Sequence, residues 1–143
     1  MTNEEMARGY LTRAQRIIWE AEGHYAQQAW NLVVRRSQEA VELALKGALR
    51  FVGLEVPRVH DVGIFLKRHR DRLRGRLAEE IDQVAAISRR LRGEREVSFY
   101  GDEETGTPPE ELYVHQDADQ ALRDARFVLS LCEELVRSAP GDV

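Results

Sequence analysis

The sequence predicts an all-α fold, an up-and-down bundle of four main helices with one short extra helix. Three observations predict it. Apolar residues recur at three- and four-residue spacing through most of the chain. Gly23, Gly53 and Pro57 punctuate the periodic stretches. No stretch alternates apolar and polar residues in the manner of a half-buried strand. One segment, REVSFYGDEE at residues 95–104, fits none of these patterns.

Thr2 and Asn3 before Glu4 and Glu5 predict a capped start with acids in the first turn. Ala7, Leu11, Ala14, Ile18 and Ala21 then mark a first helix over residues 3–21, with Gly23 as its stop. The second helix is the clearest. Ala26, Ala29, Val33, Ser37, Ala40, Ala44, Ala48 and Phe51 line one face, and Val34, Val41, Leu45, Leu49 and Val52 widen it. Gly53 ends it and Pro57 prevents its resumption. A short third helix spans residues 61–70, with Val62, Phe65 and Leu66 inward. A fourth runs over residues 73–91 on Leu77, Ile81, Val84, Ile87 and Leu91. Periodicity then vanishes, and residues 93–116 read as one long acidic loop, a length that is often functional. The last helix, residues 117–137, carries a stripe of Ala118, Ala121, Leu122, Ala125, Val128, Leu129, Cys132, Leu135 and Val136. Residues 138–143 form a short tail, and the whole of 1–143 is expected to be a single domain.

At 143 residues the chain can bury a core without disulfides or metals, and its lone cysteine, in the final stripe, excludes an internal disulfide. Hydrophobic residues make up 43% and charged residues 32%, a balance that excludes disorder and membrane embedding. No apolar run is long enough to span a bilayer, and MTNEEMARGY lacks the features of a signal peptide, so the expected location is cytoplasmic. A net charge of −4 excludes a wholly basic nucleic-acid binder. From Arg58 to Arg95, however, eleven Lys and Arg face six Asp and Glu, a local +5. Such a patch can act on phosphates while the whole protein stays acidic.

No metal-ligand spacing appears among His24, His60, His69 and His115, so neither a metal nor another cofactor is expected. Asp61 reads as a helix cap and His60 as a structural neighbour. The run KRHRDRLRGR, residues 67–76, has a solvated reading and a phosphate-binding one, the latter if it lies beside Arg89, Arg90 and Arg92. Arg95 and Tyr100 also have two readings. Arg95 pairs with an acid while Phe99 and Tyr100 pin the loop, or Arg95 clamps a phosphate while Tyr100 stacks on a base. Gln38, Glu42 and Lys46 form a polar line whose plain account is a helical Glu–Lys pair. Trp19 and Trp30 lie off the apolar stripes and read as interface anchors.

The ordered combination RRSQEAVELALKGALRFVGLEVPRVHDVGIFL, RGEREVSFYGDEE and an alanine-rich last helix resembles the HEPN family over nearly the whole chain. The resemblance implies a helical bundle that is usually a homodimer. It implies a metal-independent ribonuclease, a partner of a minimal nucleotidyltransferase in a toxin–antitoxin pair, or a protein without catalysis. Active members carry an arginine followed a few residues later by a histidine. There the arginine would stabilise phosphate charge and the histidine would move a proton at the 2′-hydroxyl. Here four residues separate Arg95 from Tyr100, and the next histidine, His115, is twenty residues beyond Arg95. A tyrosine, with a pKa of about 10, is a poor base near neutral pH. The expectation is therefore a binding module for RNA or a nucleotide, using Arg89, Arg92, Arg95 and Tyr100, or for a nucleotidyltransferase partner. The alternatives are a ribonuclease in which Arg95 and Tyr100 are catalytic, and a ligand-free structural dimer.

Overall fold

A computed structural model describes residues 1–55, 58 and 61–137. Its order is α1 (Asn3–Ala26), α2 (Trp30–Phe51), α3 (Val62–Arg68), a 3₁₀ turn (Arg70–Arg72), α4 (Gly75–Glu79), α5 (Ile81–Gly93), α6 (Val97–Tyr100), α7 (Pro109–Leu112) and α8 (His115–Arg137). The all-α expectation holds. The expected third-helix start has its cap, since Asp61 Oδ1 accepts from the Gly63 and Ile64 amides. His60 lies outside the described residues.

The core forms where the stripes meet. The α1 pattern of Ala7, Leu11, Ala14, Ile18 and Ala21 is buried, and all nine apolar positions expected on α8 are buried. α1 packs chiefly on α2, and α2 on α8. Small residues bring α1 and α2 close: a Cβ on Gly47 would lie 3.1 Å from the Tyr10 Cβ. Cys132 is fully buried, as its place in the stripe implied. Burial pushes its thiol up to about 12, with the Glu133 carboxylate adding to the shift.

Several boundaries differ from the expectation. α1 continues through Gly23 to Ala26, and the reversal is made by Gln28 at φ 59. The added turn is held from outside: Tyr25 hydrogen-bonds the last helix. Ala26 therefore belongs to α1 and is exposed, and Ala29 precedes α2 rather than lining it. The expected fourth helix is two, broken at Glu80 (φ −101, ψ 12). α4 packs on α8 and α5 on α3, so the break lets each half face a different neighbour. The final helix starts two residues early because Asp117 Oδ2 accepts from the Val114 amide at 2.9 Å, a reach-back that caps the first turn.

Residues 93–116 are not one irregular loop. They contain α6, an antiparallel bridge between Asp102 and Thr107, and α7. A single helical turn is too short to show a 3.6-residue period, which is why α6 left no pattern. α7 did leave one: proline at its first position and Glu110 and Glu111 behind it.

Candidate nucleotide-binding turn on helix α2

One face of α2 carries the REVSF segment. Asn31, Arg35, Glu39 and Glu42 succeed each other at three- and four-residue steps, so they share that face. Asn31 Nδ2 donates to the Ser98 carbonyl at 3.1 Å and Arg35 Nη1 to the Arg95 carbonyl at 2.5 Å. The Arg35 guanidinium sits 5.1 Å from the centre of the Phe99 ring, and Glu39 Oε1 accepts from its Nε at 3.0 Å. Buried Ser98 adds a hydroxyl bond to the Arg95 carbonyl at 3.3 Å.

The polar line on α2 thus does more than form a Glu–Lys pair. Glu42 does meet Lys46 at 3.4 Å and Gln38 Nε2 at 3.3 Å. It also faces Arg95 Nη1 at 3.9 Å. Gln38 is buried, and its Oε1 has no hydrogen-bond partner among the described residues. Arg95 therefore keeps a loose acidic partner while its guanidinium remains about half exposed.

Beyond Arg95 the chain makes one helical turn. The amides of Ser98, Tyr100 and Gly101 bond back to the carbonyls of Glu94, Glu96 and Val97. The turn leaves Phe99 and Tyr100 48% and 59% exposed, with their rings edge to face at 5.0 Å. The expectation that both rings pin the loop is corrected here. Pinning falls to Ser98 below the turn and to Tyr113, whose hydroxyl donates to Glu94 and is buried in doing so. Burial first, and the Glu94 bond second, push the Tyr113 hydroxyl above its ordinary range. Gly101, at φ 79 and ψ −168, ends the turn.

The three arginines and one tyrosine expected to act together are not equivalent. Arg92 and Arg95 adjoin through the Arg95 amide bonded to the Arg92 carbonyl, and Arg92 makes no ion pair among the described residues. Tyr100 follows on the same excursion. Arg89 lies a turn earlier on α5 and faces Asp61 at 3.6 Å. Arg90 is spent on nearly buried Asp124, which also accepts from Gln120. Part of the 67–76 run is engaged within the fold: Lys67 and Arg70 both hold Asp82, and Arg76 holds Glu134 on α8. The Lys67 bond is the main cause that holds the Asp82 carboxyl below its usual range. Asn31 and Arg35 went unnoticed in the sequence, and only the spacing from Asn31 to Glu42 hinted at a shared face.

A second polar cluster joins α1, α2 and α8. The Tyr25 hydroxyl donates to Asp119 Oδ1 at 2.6 Å and lies 2.6 Å from His115 Nε2. The Asp119 bond, helped by desolvation, raises the Tyr25 pKa. Trp30 packs edge-on against both Tyr25 and His115, so it anchors the bundle end, whereas Trp19 stays exposed. Among the described residues no group of three metal-ligating side chains is assembled, and no helix is long and apolar enough to cross a membrane.

The HEPN domain model matches residues 7–135, which spans every main helix and the α2–α6 contact. The chain belongs to the HEPN domain family. No curated protein and no solved structure matches it. In this HEPN chain four residues separate Arg95 from Tyr100, on a turn braced from α2.

Proposed function

We propose that this HEPN domain, residues 1–143, is a homodimeric cytoplasmic binding module that grips RNA or a nucleotide with Arg92, Arg95 and Tyr100. The alternative partner for the module is a minimal nucleotidyltransferase of the toxin–antitoxin kind. The observation that carries this reading is the braced turn. Two exposed guanidinium groups, Arg92 near the end of α5 and Arg95 just beyond it, lead into the two exposed rings of α6, and Arg35 and Asn31 hold the backbone of that turn through the Arg95 and Ser98 carbonyls.

The chemistry follows from the groups. Arginine presents a planar fork that matches phosphate oxygens. An exposed aromatic face stacks on a base, a contact worth about 1–3 kcal/mol per base. Glu42 holds Arg95 only at 3.9 Å, so a phosphate can take over that guanidinium without dismantling the fold. Arg89 contributes from one turn away. Tyr100 replaces a proton-transferring histidine, which supports binding over cleavage.

Fluorescence anisotropy with a labelled single-stranded RNA tests the reading. Binding should weaken as salt rises, and Arg95→Ala and Tyr100→Ala should each reduce affinity at least roughly tenfold. Equal affinity in both variants and wild type would remove the site.

A further inference from the structure

The excursion between α5 and α8 has a second character that the nucleotide reading does not use. Among the described residues seven large apolar side chains are left exposed, and five of them, Val97, Phe99, Tyr100, Leu112 and Val114, lie on it. Clustering of this sort marks an interaction surface rather than chance exposure. Val97, Tyr100 and Leu112 border one open groove of about 750 Å³ between α6 and α7. Apart from Gly101 and Tyr113 its remaining lining is acidic, and no lysine or arginine lines it. From Glu94 to Asp117 eight acids stand against one arginine, a local charge of −7 with His115 neutral.

Some of those acids are committed within the fold. Glu94 holds Tyr113, Asp102 accepts from the Glu104 and Thr105 amides, and Asp117 caps Val114. Glu96, Glu103 and Glu104 make no ion pair among the described residues, and all three are exposed. The groove therefore combines an apolar floor with free carboxylates on its rim.

We propose that this groove docks a basic segment of a different protein, one that sets lysine or arginine on the rim acids and an apolar side chain against Val97 and Leu112. Charge decides among occupants. RNA is repelled by the rim. A second copy docked two-fold through the same face would set acids against acids. A second copy docked by its 67–76 arginines would join head to tail, a contact that does not close into a two-fold dimer. A foreign basic segment meets none of these obstacles. Tyr100 borders both sites, but this proposal needs neither Arg92 nor Arg95, so Arg95→Ala separates it from the nucleotide reading.

The test is anisotropy of a labelled peptide of alternating lysine and leucine on the full chain, beside an all-lysine peptide of the same length. The triple variant Glu96→Gln, Glu103→Gln, Glu104→Gln should weaken the mixed peptide by roughly tenfold or more, more so at low salt. Leu112→Ser should weaken it severalfold while leaving the all-lysine peptide unchanged. Arg95→Ala, which tests the nucleotide site, should leave the mixed peptide's affinity intact. Unchanged affinity in the triple variant or in Leu112→Ser would overturn the proposal. So would oligomers in light scattering that dissolve in the triple variant, which would assign the groove to a second copy.

Discussion

Replacing Gly101 with alanine should unfasten the tyrosine turn without unfolding the bundle. Gly101 has φ 79 and ψ −168, a region open in practice to glycine alone and costing another residue about 1–3 kcal/mol. Space is the larger obstacle. A Cβ there would lie 2.3 Å from the Thr107 carbonyl oxygen and 3.0 Å from Pro109 Cδ. Backbone cannot yield like a flexible side-chain tip, so the Asp102–Thr107 bridge must open. That forfeits the Asp102 amide bond to Thr107 (2.9 Å) and its reciprocal (3.0 Å). At about 1 kcal/mol each, they bring the local total to roughly 3–5 kcal/mol. The global loss should be smaller, because the excursion can open by itself. Amide hydrogen exchange separates the two: Thr107 and Asp102 should lose protection while the Leu45 and Leu131 amides in the core keep theirs. Retained protection at Thr107 would refute the reasoning.

Further outcomes follow from packing and ionisation. Gly63→Ala drives a Cβ to 2.7 Å from the Ser88 Cβ where α3 crosses α5, and should cost about 1–3 kcal/mol, a fall of roughly 3–10 °C in Tm. Adding Ser88→Gly should recover part of it in the same melt. Cys132, fully buried with its thiol pushed up to about 12, should resist iodoacetamide in the native protein and react only at the rate of unfolding, as followed by mass spectrometry. Tyr113 keeps its proton in the fold above the pH at which the unfolded chain releases it. Its contribution is therefore full below about pH 10 and declines as pH rises further. Denaturant curves near pH 9 and pH 11 should show a steeper alkaline loss in wild type than in Tyr113→Phe.

The parts of the fold that could be read from sequence are those where a local pattern and its partner agree. The stripes of α1 and α8 were legible because a helix long enough to repeat its apolar face advertises which side is buried. Asp61 was legible because its cap is made within three residues. The misplaced ends trace to contacts far along the chain. Gly23 has open space around it and no reason to stop α1 while Tyr25 is held by Asp119, 94 residues away. The break at Glu80 serves two different neighbours and carries no glycine or proline to announce it. The candidate turn was half legible. Arg95 and Tyr100 stand out as residues, but the arginine that fixes their backbone, Arg35, is 60 residues upstream and looks in isolation like any helical surface charge.

The account's central claim is that the Arg95–Tyr100 turn binds without cutting. The most direct measurement incubates the purified protein, in excess and in EDTA, with labelled total RNA, beside Arg95→Ala and Tyr100→Ala. The account predicts intact RNA in every lane, with RNA retained by wild type and released from both variants. Cleavage by wild type that both variants lose would contradict it and make the same turn the centre of a metal-independent ribonuclease.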